Sequence, residues 1–118
     1  MDRNKRKQLL EQFKQVKTYM GVYKISNTVN GKTFIGSCPN LKNKWLTLRG
    51  QLDINRFANA ALQQEWNVLG AEAFHYEVLE QKELTEDTDR KWAPKQMEKA
   101  WLEKLQPYDD KGYNKKPK

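Results

Sequence analysis

The sequence has little of several residue types that define whole classes of protein. Its 118 residues include one cysteine and one histidine, which excludes a disulfide framework and a multi-cysteine or His-x-x-x-His zinc site. No apolar run approaches the roughly 18 residues of a membrane span, and the basic N-terminus lacks the apolar stretch of a signal peptide. A nucleophile elbow and a phosphate-cradling glycine loop are also missing. We therefore expect a reduced, cytoplasmic protein with no membrane partner.

Basic residues dominate the charge of the chain. There are 22 Lys and Arg against 15 Asp and Glu, which gives a formal net charge of +7 at pH 7. This charge favours nucleic acid as a partner, because Lys and Arg that neutralise phosphates release condensed counterions. The alternative, a basic surface that binds nothing in particular, fits the charge as well. Apolar residues make up 37% of the chain, which is enough for one packed domain of this length.

The N-terminal segment differs in pattern from the rest of the chain. Residues 2–18 predict an amphipathic helix that docks on the domain, with an apolar stripe of Leu9, Leu10, Phe13, Val16 and Met20. A helix that lies on a membrane surface is the alternative for this segment. We assign residues 1–19 to an N-terminal helical extension and residues 20–118 to the folded domain with a basic C-terminal tail.

The pattern that follows predicts a β-hairpin over residues 20–35. Asn30-Gly31 separates two β-prone runs, and a two-residue type I′ turn needs positive φ at both positions, which Asn and Gly tolerate. A third strand is predicted over residues 74–80, with one side buried more completely than the other.

Helical spacing of apolar residues predicts three core helices. The first follows Pro39-Asn40, the second runs from Asn55 or Asn59 to Leu69 and ends at a left-handed Gly70, and the third covers residues 93–105. The side chains expected to face the core are Leu41, Trp45, Leu48, Leu52, Phe57, Ala61, Leu62, Trp66, Leu69, Met97, Trp101 and Leu105. The predicted order is α-β-β-α-α-β-α, an α+β fold with a small antiparallel or mixed sheet of about three strands flanked by helices.

Two tripeptides on the predicted hairpin carry a family resemblance. Gly21-Val22-Tyr23 and Phe34-Ile35-Gly36 resemble the paired motif of the GIY-YIG nuclease family. The resemblance continues through the predicted helices to Glu98 and to Gly112-Tyr113-Asn114, which is similar to the family's closing motif. It spans about residues 20–114 and implies a small single-domain GIY-YIG fold.

The resemblance also implies an activity. Family members hydrolyse DNA phosphodiester bonds with one divalent ion, so it implies Mg²⁺ or Mn²⁺ held by Glu98 and a DNA rather than an RNA substrate. It assigns the proton acceptor to Tyr23, the cation that stabilises charge at phosphorus to Lys44, and the closing asparagine to Asn114. A phenol is a base only if a nearby cation lowers its reference pKa of about 10, so these groups must converge.

Three positions depart from the family pattern. Phe34 stands where tyrosine is usual, and it lacks the hydroxyl that positions water. Lys44 stands where arginine is usual, and it lacks the bidentate fork for phosphate oxygens. Leu48 stands where His or Tyr is common and transfers no proton, while the adjacent Arg49 is rotated by about 100° around the helix. The motif-lining residues of this variant site are Gly21, Phe34, Gly36, Leu48 and Arg49.

These departures leave two functions open. If Tyr23 holds the base, the chain is a slow, metal-dependent DNA endonuclease with weak sequence specificity, because no separate recognition domain is recognisable. If the position of Phe34 held it, the chain is a catalytically degenerate module that binds nucleic acid or a protein partner. A homodimer would suit cleavage of both strands, because one small nuclease domain makes one cut.

Basic residues near the implied site are candidates for binding the nucleic-acid backbone. They are Lys42, Lys44, Arg49, Lys115 and Lys116. Contacts of this type hold phosphates without reading sequence. The alternative is a solvated basic tail that binds nothing.

Overall fold

Three antiparallel strands form the centre of the domain. The structure is a computed structural model and describes residues 17–116. Strand β1 (Tyr19–Asn27) lies between β2 (Thr33–Cys38) and β3 (Phe74–Glu83), so the sheet order is β2-β1-β3. The long central strand is therefore paired on both edges, and β2 and β3 are the edge strands.

The described residues form three α-helices, in the order that the sequence predicts. Helix α1 (Lys44–Asp53) and helix α2 (Ala60–Leu69) connect β2 to β3, and helix α3 (Trp92–Leu105) follows β3. This order of strands and helices confirms the predicted α+β fold over the described part of the domain.

The two faces of the sheet carry separate apolar layers. On one face Tyr23 and Ile25 pack in a single cluster with Leu48 of α1 and Leu62 of α2. Helix α3 contacts β1 and β2, and strand alternation directs the buried side chain of Val22 to the face opposite that cluster. The layer that contains Tyr23 also includes the aromatic side chains of the candidate active site.

The hairpin is confirmed, but its turn differs from the two-residue turn that was predicted. The loop has four residues, 28–31, and is closed by bonds of 2.8 Å from the Gly31 amide to the Asn27 carbonyl and from the Asn27 amide to the Lys32 carbonyl. Within this loop only Gly31 has a positive φ, at 78°. The Asn27 side chain explains the longer loop, because its Oδ1 accepts a 2.9 Å bond from the Val29 amide and starts the turn early.

The N-terminal helix predicted over residues 2–18 lies outside the described residues, apart from Lys17 and Thr18, which are not helical. Met20, which the sequence placed both in the apolar stripe of that helix and at the start of the hairpin, is a buried residue of β1. The Leu84 amide donates a 2.7 Å bond to the Thr18 carbonyl, so sheet-like pairing already begins there.

Several predicted helix and strand boundaries were wrong by a few residues. Helix α1 begins at Lys44, because Asn43 adopts a left-handed conformation with φ of 56°. Gly70 ends α2 with a positive φ of 85° but an extended ψ of 167°, not in the predicted left-handed region. Strand β3 extends three residues beyond the prediction, to Glu83.

Three side chains predicted to face the core are exposed. They are Ala61, Leu69 and Leu105. In α2 the polar residue Gln63 is buried, and its Nε2 donates a 2.8 Å bond to the Leu52 carbonyl while its Oε1 accepts one from the Phe57 amide. Because glutamine is polar, the spacing of apolar residues does not predict that Gln63 is buried.

Within residues 17–116, no helix has the length and apolar character needed to cross a membrane.

Candidate active site

A cleft of about 690 Å³ opens beside the sheet, between α1, the start of α2 and the C-terminal segment. Its lining residues are Tyr23, Phe34, Lys44, Leu48, Gln51, Phe57, Ala58, Asn59, Ala60, Ala61, Tyr113, Asn114 and Lys115. Six of the predicted site residues are in this set, although they are up to 92 positions apart in the chain (115 − 23). The fold therefore brings half of the twelve predicted site residues to one place.

Tyr23 lines the cleft and packs against strand β2. Its side chain is buried, and its phenol end packs on Gly36 of the neighbouring strand, where any Cβ would collide with it. Burial raises the pKa of the Tyr23 hydroxyl, and negative charge at Cys38, Glu98 and Tyr76 raises it further. Tyr23 is consequently a neutral phenol at physiological pH unless positive charge is brought to it.

Lys44 supplies a cation next to this phenol. It is the first residue of α1, placed there by the left-handed turn at Asn43, and its Nζ lies 5.9 Å from the centre of the Tyr23 ring. The side chain is half-buried and lines the cleft. A cation in this position attracts phosphate oxygens and favours any negative charge on the phenol.

Asn114 is joined to the outer edge of β2 by its side chain. Its Oδ1 accepts a 2.9 Å bond from the Ile35 amide, and its Nδ2 donates a 2.8 Å bond to the Ile35 carbonyl. The amide thus pairs with the edge strand as another strand would, and both of its polar ends are used. Asn114 shapes the cleft rather than offering a free group to a ligand.

A hydrogen-bond network around Glu65 holds this C-terminal segment in place. The Glu65 carboxylate accepts bonds from the Tyr113 hydroxyl, from Asn27 Nδ2 at 2.9 Å and from Asn30 Nδ2 at 3.1 Å. Burial works to raise the Glu65 pKa, but these bonds and the charge of Lys32 outweigh it, so the net pKa is lowered. Sequence reasoning missed Glu65, because nothing in its local pattern links it to a residue 48 positions away.

Glu98 is not among the residues that line the cleft. The Ser37 hydroxyl donates a 3.2 Å bond to Glu98 Oε1, and Ser37 directly follows the Gly36 on which Tyr23 packs. Burial raises the pKa of the Glu98 carboxyl, while the bond from Ser37 and the charge of Lys95 lower it in part. The negative charge of Glu98 also raises the pKa of the Tyr23 hydroxyl.

Glu98 is the carboxylate that could hold a divalent cation. The carboxylate is half-buried, and it forms no ion pair with any Lys or Arg among residues 17–116. The same part of the chain contains no group of three metal-binding side chains. A single carboxylate fits Mg²⁺, which keeps several waters and takes its other ligands from a substrate phosphate.

The remaining predicted site residues lie outside the cleft. Lys42 and Arg49 are exposed, and Lys116 lines a separate surface depression with Asp109 and Asp110. Gly21 lies against the Glu80 carbonyl of β3, where a side chain would not fit. Its role in the structure is close strand packing.

Tyr76 is a further residue that the sequence did not single out. Its ring stacks on Trp45 at 5.1 Å and lies 5.7 Å from the ring of Tyr23. Its hydroxyl is buried and has no hydrogen-bond partner among the described residues. Alternation on β3 predicts its burial, but only the pairing of β3 with β1 shows that it borders Tyr23.

Comparisons with known proteins give a match in fold. The sequence matches no protein-family model and no curated protein. Among solved structures, it is similar to the catalytic domain of the homing endonuclease I-TevI, with a TM-score of 0.66 and 26% identity, over 83% of this chain and 99% of that one. It is equally similar to a glutamate-to-alanine mutant of the catalytic domain of intron endonuclease I-TevI, with a TM-score of 0.66 and 25% identity, over 84% of this chain and 93% of that one. The chain therefore has the fold of the GIY-YIG catalytic domain.

Proposed function

We propose that this protein is a metal-dependent endonuclease that hydrolyses phosphodiester bonds in DNA. The observation that carries the proposal is the position of Tyr23 and Lys44 in one cleft, with Tyr23 packed on Gly36 next to the Ser37 that binds Glu98, on a fold similar to a homing endonuclease catalytic domain. A water-orienting hydroxyl, a cation and a carboxylate are the groups that phosphodiester hydrolysis needs. The cationic rim of the cleft and the net charge of +7 favour a polyanionic substrate.

Each side chain has a distinct part in the proposed reaction. Lys44 binds the substrate phosphate and stabilises the charge that develops on its oxygens. Tyr23 orients the attacking water, because its raised pKa keeps the hydroxyl protonated. Asn114 fixes the edge of β2 and with it the position of Gly36 under the phenol.

The proposed metal ion would be held by Glu98. When bound, Mg²⁺ or Mn²⁺ supplies a Lewis acid for the phosphate and lowers the pKa of a bound water. The overall reaction forms a bond from a water oxygen to phosphorus and breaks the bond to one bridging oxygen, which leaves as an alcohol after protonation.

Nicking of supercoiled plasmid tests this proposal. We expect cleavage with Mg²⁺ or Mn²⁺, none with EDTA, and a loss of at least about 100-fold in Glu98→Gln, which keeps the shape and the bond to Ser37 but removes the charge. Glu103→Gln, an exposed change on the same helix, is the matched control. Equal cleavage by wild type and Glu98→Gln would contradict the proposal.

A second function is favoured by the apolar wall of the cleft. Phe34 and Leu48, where the family resemblance implies a tyrosine and a proton-transferring residue, both line the cleft beside Tyr23. A site without a second proton-transferring group fits a module that binds nucleic acid or a protein partner without cutting. Salt-sensitive DNA binding by a wild-type protein that nicks neither plasmid nor branched DNA would establish this second function.

A further inference from the structure

The cleft combines an aromatic wall with a cationic rim. Phe34 and Phe57 meet edge to face, with ring centres 5.6 Å apart, and Phe34 lies 6.5 Å from Tyr23. Both phenylalanines are only half-buried, so part of each ring remains open to the cleft. Leu48 contributes an aliphatic surface beside them.

The charges and polar groups of the cleft restrict what it can hold. Its two charged lining residues are Lys44 and Lys115, and no lining residue is acidic. The side chains of Asn59 and Asn114 are already bound to backbone groups, which leaves Gln51 as the amide that lines the cleft without an internal hydrogen bond in the described structure. The matching ligand is an anion with a flat apolar part that needs few hydrogen bonds.

We infer that the cleft binds an unpaired DNA nucleotide, with its base against Phe57 and Phe34 and its phosphate near Lys44. The volume of about 690 Å³ lies in the range of small-molecule sites and leaves room for one nucleotide. Paired bases have their faces covered by neighbours in the stack, so a base must be unpaired or extruded to enter. Aromatic rings bind such bases by stacking with little regard to base identity.

This inference rests on the proposed function, because it names the substrate class of the same site. It predicts DNA with a bulge, mismatch or single-stranded branch rather than uniform duplex. Phe34 and Leu48 have no group that transfers a proton. They also make the wall of the cleft apolar enough to accept a nucleotide base.

Equilibrium binding in EDTA tests the inference separately from cleavage. The probes are a duplex with one unpaired 2-aminopurine and the same duplex with that base paired. We expect the protein to bind the unpaired probe about 5- to 100-fold more tightly, with 2-aminopurine fluorescence quenched by stacking. Equal affinity for the two probes, or no quenching, would overturn the inference even if plasmid nicking succeeds.

Substitutions of Phe57 identify the stacking surface. Phe57→Leu is expected to lose the preference for the unpaired probe and to keep its affinity for the paired probe, which also shows that it is folded. Phe57→Tyr is expected to retain the preference, and Trp92→Leu, a change of an aromatic residue that is 62% exposed outside the cleft, is the matched control. A preference that survives in Phe57→Leu would overturn the assignment, and if that variant does not fold, the wild-type quenching decides.

Discussion

The phenol end of Tyr23 rests directly on the backbone of Gly36, its partner residue in the neighbouring strand. The contact leaves no space for a Cβ, so the second glycine of the paired motif is a steric requirement of the first tyrosine. Ser37, the next residue, binds Glu98. Two residues of one edge strand thus position the phenol and the carboxylate relative to each other.

Substitution of Gly36 by alanine should therefore damage the site. In Gly36→Ala the phenol must move, which we expect to lower nicking at least about tenfold and to reduce the free energy of unfolding by about 1–3 kcal/mol. Gly50→Ala is the control, because a Cβ there meets nothing within 4 Å and alanine favours the helix by about 0.5–1 kcal/mol. Plasmid nicking and urea denaturation measure both effects, and wild-type activity in Gly36→Ala would show that Tyr23 need not lie there.

The charge and shape of Lys44 should have separable effects on rate. Lys44→Ala is expected to slow DNA cleavage by about 10²- to 10³-fold, because it removes the cation that stabilises the phosphate. Lys44→Arg keeps the charge and adds a bidentate fork, so we expect it to retain most of the activity. Single-turnover cleavage measures the rates, with Lys99→Ala, an exposed change on α3, as control. Equal losses in the alanine and arginine variants would argue for a packing role.

The network around Glu65 predicts a loss of stability in acid. The Glu65 pKa is lowered in the folded protein, so its contribution is complete above the ordinary pKa of 4.5 and disappears as the pH falls through the folded value. Urea denaturation at pH 7 and pH 3 should show a smaller difference for Glu65→Gln than for wild type. The exposed change Glu72→Gln should behave as wild type. Identical pH dependence in all three proteins would rule out this role of Glu65.

The Tyr23 hydroxyl should ionise only in strong alkali. Its pKa is raised by burial and by neighbouring negative charge, so the stability linked to it is complete below the ordinary pKa of 10.0 and is lost as the pH rises further. Absorbance at 295 nm records tyrosine ionisation, and the difference between wild type and Tyr23→Phe isolates this phenol. We expect it to titrate above pH 10; titration near neutrality would instead indicate a phenolate base already present in the free protein.

Periodicity and motif spacing predicted much of the fold, and the misses have local causes. The hairpin, both helices between β2 and β3, and the last helix follow from spacing that repeats over several residues. The turn at residues 28–31 departed from the prediction because one side chain, Asn27, binds the Val29 amide. The start of α1 departed because Asn43 is left-handed. Single side-chain bonds and single backbone angles leave no periodic signal.

The sequence by itself determined the elements of this protein and the chemical types available to its site, since spacing decides which side chains share a helix or strand face. Only the tertiary structure decided which of them meet. It placed Lys44, Phe57 and Asn114 around one cleft, left Arg49 and Lys42 outside it, and set Tyr76 beside Tyr23. Distances between residues far apart in the chain depend on strand register and helix packing, and neither is encoded in any short stretch of sequence.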